Sequence, residues 1–144
     1  MKNLVLGCFA GFNATVLAYG QTGSGKTYTM GSGYLSGVAE ENLGIIPRVI
    51  KQIFSEVNRR KSKADIAIKC AFLEIYNEEI IDLLDHDADK MKPIKKDITI
   101  REEKNGAISV YGVKEVLVKT EQEMAGWLDL GSSARSTAST LMNQ

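Results

Sequence analysis

An α/β fold is the expectation for this chain of 144 residues, and three stretches of it carry that expectation. Residues 13–19 form a short β-favouring run that stops at Gly20 and gives way to a glycine-rich segment. From Ile45 onward apolar side chains recur at helical spacing. Residues 66–76 place apolar side chains on both faces of an extended segment, the pattern of a central strand. The length suits one domain, and a chain this size buries roughly two-thirds of its unfolded surface. With 44% apolar and 25% charged residues, global disorder is excluded. Eighteen basic side chains balance eighteen acidic ones, so no overall field draws the chain to nucleic acid or anionic lipid. Any polyanion site must be local.

In chain order, residues 13–19 are expected as a buried strand, and Lys26 begins a short helix after the glycines. Gly31, Gly33 and Gly37 then interrupt, and residues 32–43 have no period, which predicts a mobile loop. Ile46, Val49, Ile50, Ile53, Phe54 and Val57 line one face of a helix that tolerates Pro47 in its first turn. Its end carries Arg59, Arg60, Lys61 and Lys63, cations suited to the negative end of the helix dipole. After the long strand at 66–76, Asn77, Glu78 and Glu79 form a break and residues 80–84 a short apolar segment. Residues 85–96 read as a charged loop containing Pro93. Residues 98–101 and 107–113 flank Glu103-Lys104-Asn105-Gly106, where Asn-Gly signals a hairpin turn. Val116 to Val118 add a short strand. Thr120 and Glu123 have capping-box spacing at the start of a helix whose buried face is Met124, Trp127 and Leu128 and which Gly131 could end.

Cys8 and Cys70 stand far apart in sequence, and His86 is the chain's one histidine. Neither a disulfide framework nor a Cys/His zinc cluster can be assembled from them, which points to a reducing compartment. No apolar run reaches the roughly 20 residues that cross a bilayer, and the first residues do not form a signal peptide. The reading is a soluble, cytosolic protein.

Chemistry concentrates at Gly20-Gln21-Thr22-Gly23-Ser24-Gly25-Lys26-Thr27, which matches the phosphate-binding P-loop pattern. Glycines let the backbone wrap so that consecutive N–H groups face phosphate oxygens, and the helix that starts there adds its positive dipole end. Lys26 would reach the β- and γ-phosphates of a nucleotide, and the Thr27 hydroxyl would take one place around Mg²⁺. On composition alone such a match should arise roughly once in two hundred chains of this length. Its placement between an expected strand and helix argues further against chance.

Elsewhere the candidates are weaker. Asp82 and Asp85 follow apolar residues, as an Mg²⁺-holding acid does, but fit capping or solvent-facing roles better. Ser132, Ser133, Arg135, Ser136 and Thr137 form a polar segment that could approach a γ-phosphate. His86 reads as solvated.

The run from Gly11 through the P-loop to Gly31 resembles the nucleotide-binding core of the kinesin motor domain. Gly44-Ile45-Ile46-Pro47-Arg48, the stretch from Phe72 to Leu84 with its Glu74-Ile75-Tyr76-Asn77-Glu78, and Ser136 to Asn143 continue the resemblance in order, covering essentially the whole chain. The wording around Asn13 and the Thr137-Ala138-Ser139-Thr140 ending most resemble the chromokinesin-like fourth class of kinesins. The resemblance implies a mainly parallel sheet flanked by helices, with ATP and Mg²⁺ held by Gly20, Gln21, Thr22, Gly23, Ser24, Gly25, Lys26, Thr27 and Tyr28, and Thr27 at the metal. It implies a tight turn and short helix across residues 77–84, which takes from Asp82 its claim as a metal ligand, and a helix over about 120–134 leading to switch I.

The same resemblance casts residues 1–144 as part of a motor domain. The family's first strands would precede Met1, and the switch I motif, switch II and neck linker would follow Gln144. Microtubules would be the parent's partner and the cytoskeleton its location, with no nucleic acid or membrane implied and a dimeric, coiled-coil parent compatible. This part alone is expected to hydrolyse ATP barely. Where family members often carry Asn-Arg, this chain has Ala134-Arg135, which weakens a nucleotide role for Arg135. Two alternatives stay open: a small P-loop nucleotide kinase, which would need a cluster of arginines whereas Arg48, Arg59, Arg60, Arg101 and Arg135 are dispersed, and a non-catalytic interaction module.

Overall fold

The computed structural model describes residues 1–31, 40–87, 92–93 and 97–142. They fall into two compact units, one of residues 1–67 with 119–126 and one of residues 68–118 with 127–144.

In the first unit, α3 (Ile45–Arg60) forms as its apolar period requires. Pro47, Ile50 and Phe54 are buried and Ile46, Val49, Ile53 and Val57 half-buried, while Arg48, Lys51, Ser55 and Asn58 face water. Against it packs α1 (Lys2–Cys8), a helix with no clear period in the sequence, through buried Val5. Gln52 Nε2 donates to the Lys2 carbonyl at 3.4 Å. Arg60 closes the other end, donating to the Phe9 carbonyl at 3.2 Å with its guanidinium 5.0 Å above the Phe9 ring. Between them in sequence, α2 (Lys26–Met30) begins at Gly25, as expected. The loop expected over residues 32–43 lies mostly outside the described residues; its end, Glu40–Asn42, is one 3₁₀ turn.

The second unit is built from antiparallel pairs. β1 (Ile68–Cys70) pairs with β8 (Val116–Val118), β2 (Leu73–Tyr76) with β3 (Glu79–Asp82), β4 (His86–Asp87) with β5 (Lys92–Pro93), and β6 (Thr99–Glu102) with β7 (Ile108–Tyr111). The last is the hairpin that Asn-Gly announces: Gly106 takes φ +79°, and Asn105 Oδ1 accepts from the Ala107 amide at 3.0 Å. Cys70, Leu83, Leu84, Val116, Val118 and Ala134 are the buried apolar residues of this unit.

Several expectations give way. Among the described residues no parallel sheet is present: each ladder has two strands, and each is antiparallel. Residues 13–19 form no strand, and Leu17 and Tyr19 are 83% and 95% exposed. A β-favouring run becomes a strand only where a neighbour takes up its backbone groups, and this one has no ladder partner among the described residues. The long strand at 66–76 divides at Ala71 and Phe72, where the Phe72 carbonyl accepts from Leu83 N at 2.8 Å. Side-chain alternation reports faces, not partners, so two-sided apolarity did not make a central strand.

The short helix implied over residues 77–84 is replaced by a hairpin. Asn77 and Glu78 both take positive φ, 47° and 66°, the two-residue turn that matches strand twist, and the chain returns as β3. Helix α4 (Glu121–Met142) does not stop at Gly131. That glycine lies against Phe72, whose Cδ1 would be 2.5 Å from an added Cβ, so close packing rather than helix termination accounts for it.

The capping box at the start of α4 forms with one change. Glu123 N donates to Thr120 Oγ1 at 3.1 Å, while the Glu123 carboxylate accepts from the Lys119 amide at 2.6 Å rather than from that of Thr120. Ala125, Gly131 and Ala134 are buried along this helix, and Met124, Trp127 and Leu128 are half-buried.

Candidate nucleotide-binding site

Residues 20–27 form a compact wrapped loop at the start of α2. Gly20, Gly23 and Gly25 take φ of +153°, +82° and +87°, values that a side chain would strain. A Cβ on Gly20 would stand 2.5 Å from Ser24 Oγ, so the loop closes on itself at that point. At Gly23 and Gly25 a Cβ would meet nothing within 4 Å, which leaves that side of the loop open. Ser24 N donates to the Gln21 carbonyl at 3.2 Å, and Thr29 N makes the first helical bond, to Gly25, at 2.9 Å. The amides of the helix's first turn have no intrahelical acceptor and point out of its N-terminal end.

Lys26 turns back over this loop. Its Nζ donates to the carbonyls of Gly20 at 2.7 Å and Gln21 at 2.6 Å. Carbonyl oxygens are weaker partners for an ammonium than phosphate oxygens are, and here two of them, at the start of the loop, hold the charge. Thr27 is exposed at the first turn of α2, and Tyr28 is 73% exposed beside it. All nine sequence-selected residues, 20–28, thus stand together on one loop and helix start.

The remaining candidates have other roles. Asp82 is 1% exposed, and its two oxygens accept from Leu84 N at 2.9 Å and Lys114 N at 2.6 Å. It ties the end of β3 to the chain ahead of β8. Arg135 Nε donates to Glu74 on β2 at 2.9 Å, and the Ser133 hydroxyl to the Asp129 carbonyl at 2.9 Å. The side chains of His86, Ser136 and Thr137 lie outside the described residues. Among the described residues no group of three or more His, Cys, Asp or Glu could hold a metal ion, and no helix is long and apolar enough to cross a membrane.

A family model of the kinesin motor domain matches residues 1–144. The chain belongs to the kinesin motor-domain family. Kinesin-like protein KIF21A of Homo sapiens is 46% identical over 152 residues, covering 99% of this chain and 9% of that protein. Kinesin-like protein KIN-4C of Oryza sativa subsp. japonica is 47% identical, covering 97% and 12%; its name agrees with the fourth-class resemblance. Kinesin-related protein 8 of Dictyostelium discoideum is 46% identical, covering 99% and 7%. A solved structure of a fast kinesin, described for its ATPase mechanism and interactions with microtubules, superposes with a TM-score of 0.79 at 36% identity, covering 99% of this chain and 38% of that one. The chain therefore spans about a tenth of the curated relatives it matches. Its backbone follows a kinesin path although its ladders are all antiparallel among the described residues. Kinesins are ATP-driven, microtubule-based motors.

Proposed function

We propose that this chain is the nucleotide-holding part of a kinesin motor, gripping the triphosphate of Mg-ATP at residues 20–28. The observation that carries the reading is the Lys26 ammonium held over a loop whose glycines are in left-handed conformation and whose far side is open. Backbone N–H groups of Gly23, Gly25 and Lys26 would face the phosphates, joined by that of Ser24 on giving up the Gln21 carbonyl, Lys26 would exchange its two carbonyls for phosphate oxygens, and the Thr27 hydroxyl would occupy one position on Mg²⁺. Gln21, Thr22 and Tyr28 border the same site. When bound, Mg²⁺ supplies charge neutralisation for the transferring phosphoryl group.

In the longer protein this site would drive movement along microtubules in the cytoskeleton, as part of a motor domain extending beyond residues 1–144. Hydrolysis by this stretch alone is expected to be slow, because the family's switch segments, which would supply a water-positioning group and an acid that holds Mg²⁺, would by the resemblance follow residue 144. The small-kinase alternative loses ground to the structure. Arg48 donates to the Leu43 and Glu41 carbonyls, Arg59 and Arg60 to Glu56, Arg135 to Glu74, and Arg101 lies over Tyr111, so each arginine has a partner of its own.

Thermal melting with and without Mg-ATP tests the reading. A ligand at ten times its Kd adds about 1.4 kcal/mol, a rise in Tm of roughly 3 to 6 °C for a chain this long. Lys26→Ala should abolish that rise. An unchanged rise in Lys26→Ala, or none in the wild type at millimolar Mg-ATP, contradicts the proposal.

A further inference from the structure

We infer that Gly31 and Gly44 form a backbone clamp that positions the phosphate loop from α3. This inference rests on the nucleotide reading of residues 20–28 and names two positioning residues for it.

The two glycines close α2 and open α3, so they bracket the residues that separate these helices in sequence. Gly31 receives the last bond of α2, donating its N–H to the Thr27 carbonyl at 2.9 Å, and leaves the helix at φ +78°. Gly44 is the N-cap of α3, in extended backbone at φ −71°. Their main chains touch. A Cβ on Gly44 would lie 2.4 Å from Gly31 N, 2.5 Å from Gly31 Cα and 2.6 Å from the Met30 carbonyl carbon. Seen from the other side, a Cβ on Gly31 would lie 3.0 Å from Gly44 Cα and 3.2 Å from Pro47 Cδ. The obstructing atoms are almost all backbone, which cannot rotate aside as a side chain does. Restoring an ordinary contact of 3.4 Å requires the two main chains to part by about 1 Å, a displacement of the size that disables sites by position alone.

α3 is a firm base for such a clamp. It is fixed by buried Pro47, Ile50 and Phe54 and by the contacts of Gln52 and Arg60 to the ends of α1. α2 is one short turn of helix, with Lys26 and Thr27 at its start and Gly31 just past its end. Five residues cannot absorb a shift of 1 Å at one end without passing much of it to the other, about 7 Å away. The direct contact of two glycines therefore fixes the height of Lys26 and Thr27 above the loop. Glycine is needed at Gly44 for proximity and at Gly31 for both proximity and positive φ.

The test is equilibrium titration of the chain with a fluorescent N-methylanthraniloyl-ATP in the presence of Mg²⁺, for wild type, Gly44→Ala, Gly7→Ala and Lys26→Ala, with Tm of the nucleotide-free proteins recorded alongside. A methyl group added at Gly7 would meet nothing within 4 Å, so Gly7→Ala serves as the same substitution without contact. Gly44→Ala should weaken binding roughly tenfold to a hundredfold, while Gly7→Ala binds as wild type does. Affinity in Gly44→Ala within twofold of wild type overturns the clamp. If Lys26→Ala also binds normally, the nucleotide reading itself has failed; if Lys26→Ala loses binding and Gly44→Ala does not, only the clamp has. Amide hydrogen exchange on the wild-type chain supplies a measurement that no folding defect can obscure. Mg-ATP should slow exchange at Gly31 and Ile45 in the same titration as at Lys26 and Thr27, and protection confined to the phosphate loop overturns the inference.

Discussion

Lys26 and Asp82 show two opposite uses of charge. The Lys26 ammonium rests on the carbonyls of Gly20 and Gln21, which the proposed phosphates would replace. The Asp82 carboxylate is buried with both oxygens occupied by backbone amides, and so is committed to structure. Removing it leaves the buried Leu84 N–H and the half-buried Lys114 N–H without acceptors, about 1–3 kcal/mol for the first and less for the second. Asp82→Ala should therefore lower unfolding free energy by roughly 2–5 kcal/mol in urea titration, and a loss below about 1 kcal/mol would contradict the role assigned to it. The wrapped loop beneath Lys26 was legible because its residues are contiguous in sequence and its glycine spacing is that of a backbone wrapped on itself. The role of Asp82 was not, because Lys114 lies 32 positions away and nothing in local sequence announces that pairing. Arg135 is a similar case, its partner Glu74 being supplied by a distant strand.

Elements divide along the same line. Helix α3 was legible because a 3.6-residue period states which face is buried, and the β6–β7 hairpin because Asn-Gly fixes a turn. Strand partners and the length of α4 were not, since they depend on what packs alongside. The basic end of α3 carries a testable pH response. Glu56 accepts from Arg59 at 2.7 Å and Arg60 at 3.3 Å, and the hydrogen bond from Arg59, with that from Arg60 and their charges, holds its carboxyl below the ordinary value of 4.5. A depressed carboxylate stabilises the fold above its unfolded pKa, and that contribution disappears as pH falls through the lower folded value. Wild type should exceed Glu56→Gln in stability at pH 7, the gap closing in acid as the carboxyl takes up its proton. Chemical denaturation at pH 7 and in acid reads this, and a gap that widens in acid would contradict it.

At the scale of the whole chain, the largest departure from expectation is residues 13–19, which follow the glycine-bearing end of α1 as an exposed, uncharged, β-favouring segment without a ladder partner among the described residues. Unpaired strand-forming segments associate with one another. Sedimentation velocity should show this chain self-associating as its concentration rises, and Leu17→Lys, which places a charge at a position already 83% exposed, should reduce that association without lowering Tm. Equal association in both would show that another surface is responsible. The 36% identity and TM-score of 0.79 to the fast kinesin show that the path of the chain is encoded even where its hydrogen-bond partners are not. The account as a whole depends on residues 20–27 holding the triphosphate. Titration of ¹⁵N-labelled chain with Mg-ATP, followed by amide chemical shifts, reads that directly. The largest changes should fall on Gly23, Ser24, Gly25, Lys26 and Thr27 and vanish in Lys26→Ala. Saturable changes that leave those amides unmoved and cluster elsewhere would contradict it.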